Sequence, residues 1–208
     1  MNDYIYKFNS FVKSQIADLR NINIVEFGVK EGRSTKIFLD LCKKNSCKLF
    51  SVDIDDYSKK FQDHNWNFIQ SRDDNFEFLE TKLPKKVDVI YIDSLHEAEH
   101  VKKLFYHYFN KLNVNGFMFI DDISWLPYLK NKLRNNFYCE INNLETFKMI
   151  LEIYDTNTEN FELSFDFTSS GICKILKKRD TLNLSKKIIS RENSFKNTLR
   201  KILKIIKK

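Results

Sequence analysis

Residues 23–35, NIVEFGVKEGRST, constrain the fold of this chain more than any other stretch. A short apolar run at Ile24 and Val25 breaks at Gly28, and an amphipathic run begins after Gly32. This pattern predicts a strand, a tight turn and the start of a helix, the arrangement that nucleotide-like ligands use. The chain has only four glycines, so two in one turn indicate a backbone that takes positive φ or approaches a ligand closely. An ordinary strand-to-helix turn is the alternative.

Further apolar runs follow, and helical patterns separate most of them. They cover residues 48–54, 66–70, 87–92 and 117–120. Strands that alternate with helices predict βαβ units and a parallel sheet with right-handed crossovers. Two later runs, residues 161–167 and 172–176, read as an antiparallel hairpin. We therefore predict an α/β fold: a Rossmann-like, doubly wound, mostly parallel seven-stranded sheet with an antiparallel C-terminal hairpin at its edge.

The chain is long enough for one domain with a full core. A length of 208 residues makes a single domain the default. Residues 4–20 place apolar side chains at helical spacing, which predicts a leading helix that packs on the sheet or covers a site. We assign residues 1–178 to one domain, with residues 1–20 as its leading helix. Residues 179–208 are assigned to a basic amphipathic C-terminal tail.

The net charge of +7 hides two unlike parts of the chain. Residues 177–208 hold twelve of the 35 basic residues and two of the 28 acidic ones, which leaves 23 basic and 26 acidic residues in 1–176. A nucleic-acid footprint places basic charge across the folded face, so we expect no nucleic-acid partner. In residues 182–208, apolar side chains recur among lysines. Such a helix can lie on an anionic membrane surface, pack on a partner subunit, as in a homodimer, or stay solvated.

Cysteine usage and the absence of targeting signals predict a cytoplasmic protein. The four cysteines form no CxxC pair, which is typical of reduced thiols. The N-terminus lacks a basic region followed by an apolar core, and no apolar run approaches the roughly 20 residues of a membrane span. Peripheral contact with the inner face of the membrane through the tail is left open.

Acidic residues recur at the ends of the predicted strands. Glu26 lies within the first strand, Asp53 and Asp93 close the second and fourth, and Asp121 and Asp122 follow the fifth. The carboxyl ends of parallel strands meet at one edge of the sheet, where ligands bind. Like charges repel there unless a cation or a polyol ligand uses them. Single loop acids are commonly solvated or cap helices, so their repetition at equivalent positions is the signal.

The acids and one histidine suggest three roles. Asp53 lies where an acid can accept both hydroxyls of a ribose, although a turn-forming aspartate is the alternative. Asp93, Asp121 and Asp122 offer three oxygen ligands of the kind Mg²⁺ prefers, although paired aspartates also cap helices. Histidine ordinarily titrates at about pH 6.5, so His96 could act as a general base. A capping or exposed histidine is the alternative. The other histidines, which we interpret as surface or packing residues, are His64, His100 and His107.

These motifs resemble a class I S-adenosylmethionine-dependent methyltransferase. VEFGVKEGRST resembles the first motif of that family, and SVDID resembles the acidic end of its second strand. VIYIDSLHEAEHV followed by GFMFIDDI is similar to the small-molecule O-methyltransferase branch, which includes catechol- and macrolide-sugar-type enzymes. The resemblance covers about residues 20–123.

The resemblance implies roles for individual residues. The methionine pocket would be shaped by Glu26, Gly28 and Gly32, with Ser34 beside it. Asp53 would hold the ribose, and Asp93 would border the cofactor. In catechol-type members, the acids at the positions of Asp93, Asp121 and Asp122 bind Mg²⁺, and His96 falls where those enzymes carry the base.

Two departures from the family pattern affect these assignments. The family often has a Gly-Asp pair near the adenine, whereas this chain has SRDD at residues 71–74. We assign the adenine contact to Asp73. The usual glycine after the strand-four acid is Ser94, which removes no ligand.

We therefore predict a metal-assisted O-methyltransferase that uses S-adenosylmethionine and Mg²⁺ on a hydroxyl of a saccharide or other small molecule. Mg²⁺ and Asp93 would orient the hydroxyl, and His96 would accept its proton. A lid would come from residues 1–20 and 124–160, where the candidate wall residues are Trp125, Tyr128, Phe137 and Tyr138. The alternatives are a metal-independent N-methyltransferase or aminopropyl transferase, and a non-catalytic membrane- or glycan-associated module with the same fold.

Overall fold

A computed structural model describes residues 3–124, 137–189 and 194–206. The described residues form one seven-stranded sheet with helices on both faces. In chain order the elements are α1 (Asp3–Lys7), a π-helical segment (Phe8–Lys13), α2 (Ser14–Ile16), β1 (Asn23–Phe27), α3 (Arg33–Asn45), β2 (Lys48–Asp53), β3 (Trp66–Gln70), α4 (Phe76–Lys82), β4 (Val87–Ile92), α5 (Ala98–Phe109), β5 (Leu112–Asp121), α6 (Phe137–Asp155), β6 (Phe161–Asp166), β7 (Ile172–Lys177) and α7 (Phe195–Ile206).

The strand order confirms the predicted fold class. The strands lie in the order β3-β2-β1-β4-β5-β7-β6. Neighbours from β3 to β5 pair in parallel, and β7 is inserted antiparallel between β5 and the edge strand β6. The direction of winding reverses between β1 and β4. In sheets of this kind that reversal opens a crevice at the carboxyl ends of the strands, where ligands bind.

Strand β5 begins earlier than its sequence pattern predicts. The pattern predicts residues 117–120, but pairing with β4 already starts at Leu112 opposite Val87. The register then shifts, and Phe117 lies opposite Val89. Residues 113–116, which precede the predicted strand, are therefore an irregular bulge within β5.

The sheet separates two apolar clusters. Neighbouring strand residues alternate between them: Ile24 belongs to the cluster beneath the leading helix and α3, whereas Val25 belongs to the cluster beneath α4, α5 and α6. Side chains of a strand point alternately to its two faces. Strands that are apolar on both faces, as β4 is, are thus buried between helical layers on both sides.

The leading helix forms over Asp3–Ile16, whereas the pattern predicted residues 4–20, and it contains an irregularity. Its middle segment, Phe8–Lys13, is π-helical, which adds about one residue to the turn. Val12 and Ile16 are buried as the pattern predicts. Ile5 precedes the phase change and is 38% exposed. Lys7, at the junction, is fully buried, which the pattern did not predict.

The segment after β7 is bonded to the domain. The backbone N–H of Lys178 donates to the carbonyl of Asn160 at 2.8 Å, that of Asn183 to Asn157 Oδ1 at 2.7 Å, and that of Ser185 to the Tyr106 hydroxyl at 2.7 Å. By contrast, no side chain of α7 is buried. The domain boundary at residue 179 stays a prediction, and these bonds lie on its C-terminal side.

Part of the predicted lid is outside the described residues. Residues 125–136 of the lid region fall there, with Trp125 and Tyr128, as do the side chains of Phe137 and Tyr138. The rest of the lid region is largely α6. In the described ranges, no helix is both long and apolar enough to cross a membrane.

Candidate active site

The turn after β1 requires its first glycine. Gly28 has φ +96°, and a Cβ atom placed on it would lie 2.1 Å from the backbone oxygen of Asp93. Only glycine tolerates this approach without moving the neighbouring strand end. Gly32, with φ +74°, is the N-cap residue of α3. The prediction of positive φ at both glycines is confirmed.

Asp53 at the end of β2 holds this turn in place. Its Oδ2 atom accepts hydrogen bonds from the backbone N–H groups of Val29 at 2.7 Å and Lys30 at 3.2 Å. Its Oδ1 atom accepts from the N–H of Asp55 at 3.0 Å. A carboxylate has about four lone-pair sites, so Asp53 keeps acceptor capacity for a ligand. Its contact with a ribose stays a prediction.

Glu26 stabilises the turn through hydrogen bonds from three hydroxyl groups. Its fully buried carboxylate accepts hydrogen bonds from the hydroxyls of Ser34 at 2.5 Å, Thr35 at 2.8 Å and Ser51 at 2.7 Å. Burial raises the pKa of Glu26 to about 7, although these hydroxyls favour the ionised form. Ser34 also lines a cavity above the turn. Glu26 thus joins β1, β2 and the first turn of α3 into one rigid unit.

Asp73 is fixed by side chains from three directions. His100 Nε2 lies 2.9 Å from Asp73 Oδ1, the Ser94 hydroxyl donates to Asp73 Oδ2, and the Tyr108 hydroxyl donates to the Asp73 carbonyl at 2.8 Å. Burial raises the pKa of Asp73, but the hydrogen bonds from His100 and Ser94 outweigh it and lower that pKa. The bond to Asp73 raises the pKa of His100.

His100 corrects our interpretation of that residue. We predicted a surface or packing role, yet the side chain is 8% exposed, pairs with Asp73 and lines a cavity. His107, by contrast, stacks on Phe76 with ring centroids 4.0 Å apart, and His64 is exposed. The packing and surface interpretations of these two residues are confirmed.

A cavity of about 510 Å³ opens at the carboxyl ends of β1 to β4. It runs from the glycine turn past Asp53 to Asp73. Apolar and charged groups both face it, as a ligand with an aromatic base and a polyol would require. Its lining includes Gly28, Asp53, Ile54, Tyr57, Asp73, Ser94, Leu95 and His100.

A second cavity of about 420 Å³ adjoins the first. The two share part of the glycine turn and the end of β4, at Gly28, Lys30, Asp93 and Ser94. The leading helix reaches the second cavity through Tyr4. Its remaining lining includes Arg33, Ser34, His96, Asp121, Asp122 and Ser170.

His96 faces two of the predicted acids in this second cavity. Its Nε2 atom lies 3.3 Å from Asp122 Oδ2 and 3.7 Å from Asp93 Oδ1. It sits in the loop before α5, which begins at Ala98, and its side chain is 30% exposed. Burial raises the pKa of Asp93, and the charges of Asp121 and Asp122 raise it further.

Asp121 is engaged in a way that the sequence did not predict. Its Oδ1 atom pairs with the ammonium group of the buried Lys7, and its Oδ2 atom accepts from the Tyr91 hydroxyl at 2.9 Å. In the part of the chain that the structure describes, no cluster of three or more His, Cys, Asp or Glu side chains could hold a metal ion. Asp93, Asp121 and Asp122 meet at one sheet edge as expected, but they do not fit a three-carboxylate Mg²⁺ site.

Comparisons with known proteins agree with this geometry. Residues 25–123 match the family described as a methyltransferase domain. The structure of MycE, a methyltransferase from the mycinamycin biosynthetic pathway in complex with Mg and SAH, is similar with a TM-score of 0.65 and 17% identity, over 83% of this chain and 50% of MycE. This chain therefore spans about half the length of MycE. No curated protein sequence matches the chain.

Two further solved structures are similar. A Staphylococcus aureus protein with a proposed caffeoyl-CoA O-methyltransferase activity gives a TM-score of 0.61 at 17% identity, over 81% of each chain. SAH-bound methyltransferase PaMTH1 from Podospora anserina gives 0.60 at 15% identity, over 76% of this chain and 72% of that one. The family match thus covers residues 25–123, just under half of the chain, and the sheet has the fold of these similar methyltransferase structures.

Proposed function

We propose that this protein is an O-methyltransferase that transfers the methyl group of S-adenosylmethionine to a hydroxyl of a small molecule. The observation that carries the proposal is the pair of adjoining cavities at the carboxyl edge of the sheet. One has the lining expected for an adenosine group. The other contains His96 beside two carboxylates, as a site for deprotonating an acceptor requires.

The first cavity fits the cofactor. Gly28, which lines this cavity, lets the turn approach the backbone of Asp93 because it has no Cβ atom. Asp53 would hold the ribose hydroxyls and Asp73 the adenine end. The methionine end would extend towards Gly32 and Ser34, and Ser34 lines the adjoining cavity. When bound, S-adenosylmethionine supplies an electrophilic methyl group on its sulfonium. The residues of this chain supply position and exclude water, which account for much of the rate in such reactions.

His96 is the proposed general base. Its Nε2 atom would accept the proton of the acceptor hydroxyl as the oxygen attacks the methyl carbon. The carboxylate of Asp122, 3.3 Å away, would stabilise the imidazolium that forms. Asp93, which borders both cavities, would orient the acceptor between base and cofactor.

The acceptor is proposed to be a saccharide or another small hydroxylated molecule. MycE, one of the similar structures, is also known in complex with Mg, SAH and mycinamycin VI, which supports a small-molecule acceptor here. The body of the chain is acidic, which does not favour a nucleic-acid acceptor. Magnesium assistance was implied by the resemblance alone, the three carboxylates of the described residues do not fit it, and no step here depends on it.

Calorimetric titration of S-adenosylmethionine into the full chain tests the cofactor assignment. We expect micromolar binding, followed by methylated product in a screen of sugars and phenols with a radiolabelled methyl donor. Absence of binding would overturn the proposal and favour a non-catalytic module with the same fold. Transfer of the radiolabelled methyl group to amines, and to no hydroxyl acceptor, would favour an N-methyltransferase instead.

Substitution of the base separates chemistry from binding. His96→Ala should lower turnover by about 10²-fold or more, the usual contribution of a positioned base, and leave the affinity for S-adenosylmethionine unchanged. His64→Ala, at an exposed position, is the matched control. Wild-type turnover in His96→Ala would remove the base assignment while leaving the cofactor site intact.

We also propose that α7 binds an anionic membrane surface. Along this helix Phe195, Leu199, Ile202, Leu203 and Ile206 form one apolar stripe, and each is 44% exposed or more. The other side carries only basic charge, at Lys196, Arg200, Lys201 and Lys204. An apolar stripe flanked by cations is the pattern of helices that lie in a lipid interface, and the charge selects anionic lipid over neutral lipid.

Vesicle sedimentation tests this second proposal. The full chain should sediment with vesicles that contain phosphatidylglycerol and not with pure phosphatidylcholine, and a chain ending at Ile189 should sediment with neither. Ending at Ile189 keeps the bonds that residues 178–185 make to the domain. Equal sedimentation of both chains would overturn the proposal. If the full chain does not bind vesicles but is a dimer that the truncation converts to a monomer, the apolar stripe packs against a second copy instead.

A further inference from the structure

We infer that the Lys7 ammonium group occupies the cation position of this site, so that the protein transfers methyl groups without a divalent metal ion. This inference rests on the proposed function, because it concerns the acceptor cavity of the same site. It reverses the metal assistance that the resemblance implies. Lys7 and Asp121 each have their hydrogen-bonding atoms occupied by partners within the protein.

The ammonium of Lys7 is fully buried and fully bonded. It pairs with Asp121 Oδ1, donates to the Ser170 hydroxyl at 2.9 Å and donates to the Gly171 carbonyl at 3.4 Å. An ammonium group has three N–H donors, so these acceptors account for all of them. A lysine is almost never fully buried unless its charge is paired, which makes Asp121 its specific counter-ion.

Asp121 in turn has both oxygen atoms occupied. Besides Lys7, its Oδ1 atom accepts the N–H of Asp122 at 2.9 Å, and its Oδ2 atom accepts the Tyr91 hydroxyl at 2.9 Å. Mg²⁺ needs oxygen ligands at about 2.0–2.1 Å in near-octahedral order. A dication at Asp121 would displace a buried ammonium and leave Lys7 as an uncompensated buried charge, which a protein interior strongly disfavours.

The same cation joins the leading helix to the acceptor cavity. Tyr4, one turn before Lys7, lines that cavity, and its hydroxyl lies 3.3 Å from the Tyr91 hydroxyl. Tyr91 reaches Asp121, so helix and acid cluster share one hydrogen-bonded network. Lys7 is therefore a positioning residue: it offsets one of three crowded acid charges and leaves Asp93 and Asp122 to face His96.

Titration of Mn²⁺ into the full chain tests the inference, with binding followed by electron paramagnetic resonance and repeated with Mg²⁺ by calorimetry. The wild-type protein should bind neither ion at concentrations up to about 1 mM. Lys7→Ala removes the ammonium and should gain a Mn²⁺ site at least about tenfold tighter than any site in the wild type. Lys13→Ala, in the same helical run but outside the cavity lining, should behave as the wild type.

Each result decides the inference. If the wild-type protein binds Mn²⁺ and Asp121→Asn abolishes that binding, the inference is overturned, because the metal would then displace Lys7. A folded Lys7→Ala protein without a Mn²⁺ site would also overturn it, because no cation position would remain. If Lys7→Ala fails to fold, the wild-type titration alone decides. Cofactor binding in EDTA is measured separately, so loss of the proposed function is distinguishable from failure of this inference.

Discussion

The Asp53 Oδ2 atom accepts a hydrogen bond of 2.7 Å from the backbone N–H of Val29, so the end of β2 fixes the shape of the turn after β1. The same carboxylate lines the larger cavity. One side chain therefore both shapes the turn and faces the cavity. Removal of the Asp53 carboxylate should weaken ligand binding more than it lowers stability. The hydrogen bonds of Glu26 to Ser34 and Thr35 also hold the turn.

Asp53→Asn should weaken binding of S-adenosylmethionine by about tenfold to a hundredfold. The amide replaces one charged acceptor with an N–H₂ donor, and a hydrogen bond to a charged group is worth about 1.5–3 kcal/mol. Calorimetric titration measures the change. Asp56→Asn, an exposed acid of the same loop that does not line the cavity, is the control and should keep wild-type affinity. Unchanged affinity in Asp53→Asn would contradict the ribose assignment.

Gly28→Ala should destabilise the fold more than Gly32→Ala. Both positions have positive φ, which costs a residue with a Cβ atom about 1–3 kcal/mol. At Gly28 the new atom meets the backbone of Asp93, whereas at Gly32 it meets the side chains of Phe61 and Lys60, which can move. Urea denaturation of both variants measures the two costs. If Gly32→Ala lowers the free energy of unfolding as much as Gly28→Ala or more, the backbone at Asp93 moves as easily as a side chain.

Glu26→Gln should gain stability over the wild type as the pH rises. The pKa of Glu26 is raised on folding from about 4.5 to about 7. A raised pKa favours the folded state fully below about pH 4.5, and that contribution is lost as the pH rises through about 7. The free-energy difference between variant and wild type should grow by up to about 3 kcal/mol across that window.

Chemical denaturation between pH 4 and 8 measures the effect at Glu26. Glu77→Gln, at an exposed position on α4, controls for the general influence of a removed acid and should show no such trend. A constant difference between Glu26→Gln and the wild type over the whole range would mean that the buried carboxylate stays ionised. The hydrogen bonds from the three surrounding hydroxyl groups would then be sufficient to stabilise the ionised carboxylate.

His100→Gln should destabilise the protein more at pH 6 than at pH 9. The pKa of His100 is raised by its bond to Asp73, so its stabilising contribution is full below about pH 6.5 and is lost as the pH rises through the raised value. We expect a loss of about 1–3 kcal/mol at pH 6. His64→Gln, at an exposed histidine, should show no pH-dependent loss. A larger loss at pH 9 than at pH 6 would contradict the charge pairing.

The sheet could be predicted because its signals are local. Strand β4 is apolar on both faces and β1 breaks at a glycine, so their order and type follow from residues within a few positions. The acids at the strand ends could be predicted as a group because parallel strands end at one edge. The bulge in β5 could not, because it depends on the register with β4.

The pairing of buried charges could not be predicted in the same way. Lys7 and Asp121 are 114 residues apart, and nothing near Lys7 in sequence distinguishes it from a lysine on a solvated helix face. His100 likewise sits in an amphipathic helix, and its partner Asp73 comes from another loop. The one available signal was SRDD at residues 71–74, where the family often has a Gly-Asp pair. These polar side chains indicate that a partner lies nearby.

The pairing of Lys7 also bears on the order in which the protein is assembled during synthesis. The leading helix leaves the ribosome before any strand, yet its ammonium group finds its acceptors only at Asp121, Ser170 and Gly171. Contacts that close such long stretches of chain form late and slowly. Until the hairpin of β6 and β7 has been made, the Lys7 ammonium group lacks two of its three acceptors. Burial of that ammonium group is thus the step that marks a complete domain.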